Sequence, residues 1–288
     1  MRRRMQDSWM ILAVALVAIA VLAGCAGRGK KESEFWMYAM PEGKTLVYTK
    51  SEDVVQEMEI MGQAMEMTFN KNMGFTMTKA LSEGGDLAAE VTITSFTAGL
   101  SSPQGDFDAD GAPAIDKSFM MTFSSLGKEV DLSGAEDVTY SLGPQGDRSV
   151  QPDFASLLPD LPGIPVKVGD TWTSTDETPI NEQGTELLIR SEYLHTFMGF
   201  ETIGALKCAK VEAVITGTMT GSGEQMGAPL KFNGTSEGTE TWYFGVEEGV
   251  LVKSSRSIVT TATVTVSGPQ EMVIPMTMNL TGETNLEK

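Results

Sequence analysis

Leu87-Ala88-Ala89-Glu90-Val91-Thr92-Ile93-Thr94 decides the fold class. Leu87, Ala89, Val91 and Ile93 share one parity, and Glu90, Thr92 and Thr94 hold the other. Side chains alternate across a strand, so period two in a stretch rich in Val, Ile and Thr marks a strand with one buried face. The pattern recurs. Ala209, Val211, Ala213 and Ile215 oppose Lys210, Glu212 and Thr216, and Ala262, Val264 and Val266 oppose Thr261, Thr263 and Thr265. Met272, Ile274, Met276, Met278 and Leu280 keep one parity to the C-terminus. Turn signals at Glu83–Asp86, Gly221–Gly227, Glu247–Gly249 and Ser267–Pro269 separate these runs. The strands between them reach about ten residues or more, against a usual five or six. One polar face fits antiparallel pairing, and long antiparallel strands coil. The expected fold is all-β with minor α: a curved sheet or incomplete barrel.

The segment Val54–Phe69 reads two ways. Val54, Met58, Met61 and Met65 fit one helical face, whereas Met58 and Ile60, then Met65, Met67 and Phe69, fit two strands turning at Gly62. The tighter alternation and the glycine favour strands. Helix is expected only near Pro152–Leu158, short and bounded by prolines. Pro275 lacks a ladder donor, which predicts an edge or a bulge for the last strand. A Pro- and Gly-rich connector, Gly143–Gly163, separates a β-rich block at 41–142 from another at 164–288. Two β halves or one continuous curved sheet both fit.

The N-terminus reads differently. Arg2, Arg3 and Arg4 precede a fourteen-residue apolar run, Met10–Ala23, which ends Leu22-Ala23-Gly24-Cys25. A membrane span needs about 20 apolar residues. Positive, apolar and small residues in that order make a secretory signal. The box resembles the bacterial lipoprotein signal. That resemblance implies a signal peptide and helix at 1–24, cleavage before Cys25, a diacylglyceryl group on the Cys25 sulfur and acylation of its new amino group. Two or more acyl chains hold a protein stably to a bilayer. It also implies an extracytoplasmic place in the cell envelope, and Ala26 in the position after the cysteine implies the outer membrane in a Gram-negative cell. Residues 25–40 then form the lipidated cysteine and a polar tether, with Phe35, Trp36 and Tyr38 beginning the core.

The whole chain carries a formal charge of −18. Loss of residues 1–24 removes three arginines and one aspartate, leaving about −20. Such a surface repels nucleic acid and anionic headgroups, so the expected partners are the membrane through the acyl chains and an apolar ligand or envelope protein. With Cys25 lipidated, Cys208 is left without a disulfide partner and reads as a buried structural thiol.

Four constellations bear on chemistry. Gly234-Thr235-Ser236-Glu237-Gly238 matches Gly-x-Ser-x-Gly, but both flanks read as strand and the sole histidine, His195, precedes the serine. His195 itself lies in a strand pattern and reads as a core residue. Asp106, Asp108 and Asp110 with Gly111 resemble the opening of a calcium loop, yet the twelfth position is Lys117 instead of glutamate. A solvated acidic loop is the simpler reading. The 19 methionines, of which 16 remain after the signal, sit at apolar parity. They read first as core, then as an adaptable lining for an apolar ligand, and last as Cu(I) ligands.

Two further stretches carry resemblances. Leu158–Trp172, with Val166-Lys167-Val168-Gly169-Asp170-Thr171-Trp172, resembles a recurrent mark of uncharacterised, secreted, β-rich bacterial proteins. Thr241–Val252 resembles the strand-turn-strand of lipoprotein-carrier and lipid-transfer proteins, which implies a curved half-barrel holding acyl chains. The expected function is a lipid-anchored, non-catalytic envelope protein with no cofactor beyond its covalent lipid. It binds an apolar ligand or another envelope component, or else serves as a scaffold with a filled core.

Overall fold

A computed structural model describes residues 33–81, 85–143, 146–182, 184–225, 227–268 and 271–287. Cys25 and the signal residues lie outside them. Phe35–Lys288 forms one compact unit.

The chain is all-β. Its strands are β1 (Thr45–Ile60), β2 (Gln63–Ala80), β3 (Leu87–Ser102), β4 (Gly105–Asp108), β5 (Ser118–Phe123), β6 (Glu129–Asp131), β7 (Thr139–Ser141) and β8 (Asp147–Ser149). After one helical turn, α1 (Gln151–Phe154), come β9 (Thr171–Glu182), β10 (Thr185–Ile203), β11 (Leu206–Gln225), β12 (Ala228–Gly245), β13 (Val250–Val266) and β14 (Met272–Leu286). Among the described residues, twelve strands form one antiparallel sheet in the order β6-β5-β3-β2-β1-β14-β13-β12-β11-β10-β9, with β4 also on β3. β7 and β8 pair separately. The sheet curves but does not close. At 20 residues, β11 spans about 65 Å.

Local chemistry explains the long hairpins. Val54–Phe69 is two strands joined by Met61-Gly62, with φ of 53° and 78°. Two positive φ values in a two-residue loop give the turn whose twist matches antiparallel strands, and glycine takes one of them without strain. Bulges bend the long strands where the register shifts, at Thr94, at Met198 and at Val252. The bulge at Val252 explains why Val250, Leu251 and Val252 are all buried.

Pro275 does not put β14 at an edge. β14 pairs β13 through Val273 and Met272, and pairs β1 only as far as Met58↔Met276, one residue short of the proline. The missing donor therefore ends one ladder and leaves the other intact.

The concave face is filled at one end. Trp36, Tyr38 and Met40 thread into it as an extended strap while Phe35 and Met37 point outward. The Tyr38 and Ala39 amides donate to Ser125 O and Gly249 O, both at 2.8 Å. Gly249 sits at φ +68°, and a Cβ there would meet Ala39 N at 2.7 Å. The connector folds into the trough, burying Val150, Phe154, Leu157, Leu158 and Leu161. It also bridges the gap between the edges. Leu161 N donates to Leu126 O at 2.8 Å, and Trp172 Nε1 donates to Asp160 O at 3.0 Å. Lys128 Nζ reaches across to Thr175 O at 2.7 Å and Asp176 at 2.6 Å.

Candidate functional site

Beyond the filled end, the trough turns polar and then apolar again. Lys50 and Glu52 on β1, Lys71 on β2, Glu240 on β12 and Arg256 on β13 all take inward parity, and α1 carries Asp153 toward them. Lys71 Nζ lies 2.5 Å from Asp153 Oδ1 and 3.7 Å from Glu52 Oε1. Lys50 Nζ donates to Asp153 O and lies 3.4 Å from its carboxylate. Arg256 Nη2 donates to Glu52 Oε2 at 3.0 Å, and Nη1 to Ser156 Oγ at 3.3 Å. Burial alone would raise Glu52, but Lys71, Arg256 and Lys50 hold it down to about 2. Burial pulls Lys71 down, yet Asp153 and Glu52 raise it on balance. Lys50 is lowered by burial despite Asp153. Burial pushes Glu240 up to about 7 against the pull of Arg256.

Above this network opens a cavity of about 420 Å³. Met67, Phe69, Leu100, Leu142, Ile180 and Met278 supply its apolar wall. Lys71, Glu52, Asp153 and Arg148 meet it from the polar side. Its size falls within the roughly 300–1,000 Å³ of small-molecule sites. At the far strand ends, Met58, Met219, Ala262 and Met276 form a small separate cluster, and Leu230, Val264 and Ile274 another. Gln56 Nε2 donates to the sulfurs of Met58 (3.2 Å) and Met276 (3.1 Å).

The sequence-marked residues fall elsewhere. Asp106 and Asp108 lie on extended β4, where Asp106 accepts from Ser101 Oγ at 2.5 Å, and Asp110 accepts from Ala112 N at 3.0 Å. No group of three or more His, Cys, Asp or Glu able to hold a metal occurs among the described residues. Ser236 is buried mid-strand and shares a 2.8 Å hydrogen bond with Thr260 Oγ1. A nucleophile elbow needs a strand-to-helix turn, which this is not. Cys208 is free and buried, and burial pushes its thiol up.

His195 is 1% exposed. Its ring stacks on Trp172 and Tyr193, and Nε2 lies 2.9 Å from Ser174 Oγ. Nδ1 has no partner among the described residues. Burial pulls the imidazole down to about 4. The unfolded chain takes up this proton near pH 6.5 and the folded one resists it. Stability from this group is therefore lost as pH falls from 6.5 toward 4.

Glu129, at the seam, acts with the opposite sign. Burial pushes its carboxyl up to about 9, with Asp176 and Asp160 adding to the rise. Its Oε1 is buried without a partner among the described residues. The folded state keeps a proton that the unfolded state releases near 4.5, so this group destabilises the fold progressively as pH rises from 4.5 to 9. Glu129→Gln removes that penalty while keeping the shape. Urea unfolding is expected to show a gain of about 1–3 kcal/mol at pH 8 and none below about pH 4.5.

The missed residues carried one signal: a charged side chain at apolar parity. Lys50 and Glu52 continue the inward register of Leu46 and Tyr48, and Lys71 falls between Phe69 and Met73.

No protein-family model matches the sequence, and no curated protein matches it. Among solved structures, the chain is similar to an exported protein with a YmcC-like fold from Bacteroides fragilis. That likeness has 10% identity and a TM-score of 0.24, over 88% of this chain and 98% of that one. It is also similar to OpdQ of Pseudomonas aeruginosa (7% identity, TM-score 0.28, 85% and 100% covered). The β domain of the Bordetella autotransporter BrkA gives 7% identity and a TM-score of 0.22, with 84% and 99% covered. No helix among the described residues is long and apolar enough to cross a membrane, which leaves strands aside.

Proposed function

We propose that this chain is a lipid-anchored, non-catalytic envelope protein whose half-open sheet holds an apolar ligand. The cavity walled by Met67, Phe69, Leu100, Leu142, Ile180 and Met278 carries this reading. An apolar wall open to water gains from covering, at about 25 cal/mol per Å² buried. The unbranched side chains of Met67 and Met278 adapt to varied apolar shapes, which suits a carrier better than a selective enzyme. The anchor rests on Leu22-Ala23-Gly24-Cys25 and fixes where the cavity works.

The test is direct. Residues 26–288 contain the whole compact unit from Phe35 onward. That protein is purified and extracted into organic solvent for mass spectrometry, and titrated with the neutral dye N-phenyl-1-naphthylamine. Stoichiometric lipid in the extract, or saturable dye fluorescence reduced by Met278→Asp, is expected. Neither lipid nor dye binding would favour a second reading, a scaffold lipoprotein, which the aromatic filling around Trp36 and Phe154 supports. Separately, Cys25→Ser is expected to release the full chain from membranes into the soluble fraction. Continued membrane retention would overturn the anchor.

A further inference from the structure

We propose that the methionines around Gln56 form a binding site for a single Cu(I) ion. The site borders the cavity described above but does not depend on an apolar ligand entering it. Strand register places the sulfurs. Gln56 on β1 pairs with Met67 on β2 and with Met278 on β14, and Met58 pairs with Met65 and Met276 on the same two strands. Directly opposed residues of an antiparallel pair hold their Cβ atoms about 4.5–5.5 Å apart, within reach of a methionine side chain. Met58, Met65, Met67, Met276 and Met278 therefore share one patch of the inner face around one amide. Two of the sulfurs are aimed at the same point. Gln56 Nε2 donates to Met58 Sδ at 3.2 Å and to Met276 Sδ at 3.1 Å. A sulfur that accepts a hydrogen bond turns a lone pair toward the donor, and the same lone pairs bind a soft metal.

The donors select the ion. Thioethers are soft, which favours Cu(I) over the harder divalent ions. They are also neutral, so the charge of the ion stays uncompensated, and a single charge costs less to take out of water than two. Glu57, Glu59 and Glu66, the carboxylates interleaved with these methionines, take the opposite parity and are exposed. Sulfur is thus the ligand type that this part of the inner face offers. The patch also differs from a plain core. Met58, Met65, Met67 and Met278 are only partly buried, and Gln56, Met67 and Met278 line the open cavity, which gives an ion a way in. The cavity carries Lys71 and Arg148, matched in number by Glu52 and Asp153, so its charge does not exclude a monovalent cation. Gln56 is uncharged and flexible, and swings aside when the metal takes the place of its amide.

The experiment titrates residues 26–288, without oxygen and with ascorbate, against the coloured Cu(I) complex of bicinchoninate. The protein is expected to withdraw about one equivalent of Cu(I). Met58→Leu combined with Met276→Leu is expected to weaken that binding by about tenfold or more. Leucine for methionine nearly conserves volume, and circular dichroism verifies that the double variant keeps the fold. Cys208→Ser is expected to leave the affinity unchanged, whereas loss of binding there would assign the copper to the thiol and overturn the site. A second measurement needs no variant. With methionine methyl groups labelled with carbon-13, Ag(I), a redox-inert ion of the same charge, is expected to shift a small set of methyl resonances that saturates at about one equivalent, while Zn(II) shifts none. No copper withdrawn from bicinchoninate, or Ag(I) shifts confined to exposed methionines such as Met37, Met61 and Met120, overturns the proposal. The dye titration above is read separately: dye binding without copper binding removes this site alone, and copper binding without dye leaves it standing.

Discussion

Replacing Trp36 by alanine is expected to lower the unfolding free energy by about 3–5 kcal/mol, the usual cost of removing a large buried aromatic side chain. The indole is 1% exposed. It meets the Phe197 ring edge-on at 4.8 Å and 88°, and Trp172 at 6.2 Å and 76°. Phe244 lies at 6.4 Å. These rings come from β10, β9 and β12, so one side chain joins three strands at the filled end of the trough. The neighbours are themselves held by the sheet and cannot collapse into the space. Urea unfolding followed by tryptophan fluorescence and circular dichroism measures the loss. Phe35→Ala, at a side chain 49% exposed, is the control and is expected to change stability by less than about 0.5 kcal/mol. Equal effects at the two positions would mean that the strap is not part of the core.

Removing Asp153 is expected to cost a similar amount for an electrostatic reason. Its carboxylate lies 2.5 Å from Lys71 Nζ and 3.4 Å from Lys50 Nζ, and all three side chains are less than 10% exposed. Asp153→Ala leaves two ammonium groups in the trough with Glu52 as the nearby carboxylate. Breaking one side of a buried ion pair costs about 3–5 kcal/mol, because the stranded charge cannot return to water. The loss is expected to shrink as pH rises, since Lys50 is already lowered by burial and sheds its proton first. Urea midpoints at pH 7 and pH 10 test this. A loss independent of pH would assign the effect to packing of α1 instead.

The parity runs disclosed the strands because half-burial is a local property. Ala89, Val91 and Ile93 are buried, as are Ala209, Val211, Ala213 and Ile215. The expected hairpin at Gly62 is present, and the short helix expected near Pro152–Leu158 is a single turn at Gln151–Phe154. Sheet order was not legible, because pairing of β1 with β14 joins residues more than two hundred positions apart. Pro275 misled because a single missing donor matters on one side of a strand only. The cavity stayed hidden for the same reason. Its wall draws Met67 and Leu100 from the first hairpins, Ile180 from β9 and Met278 from the last strand. Nothing local to those residues says that they converge. Lys50, Glu52 and Lys71 were visible as charges out of pattern, but a single chain does not say which carboxylate answers them.

Tyr48↔Leu286 through Met58↔Met276 is the ladder that joins the first long strand to the last. Its consequence is temporal. Until the final residues are available, β1 and β13 stand as bare edges of 16 and 17 residues, each a template for pairing with another chain. Contacts this distant in sequence form slowly. A chain emerging N-terminus first therefore stays vulnerable to misassembly until the fifteen residues of β14 have arrived.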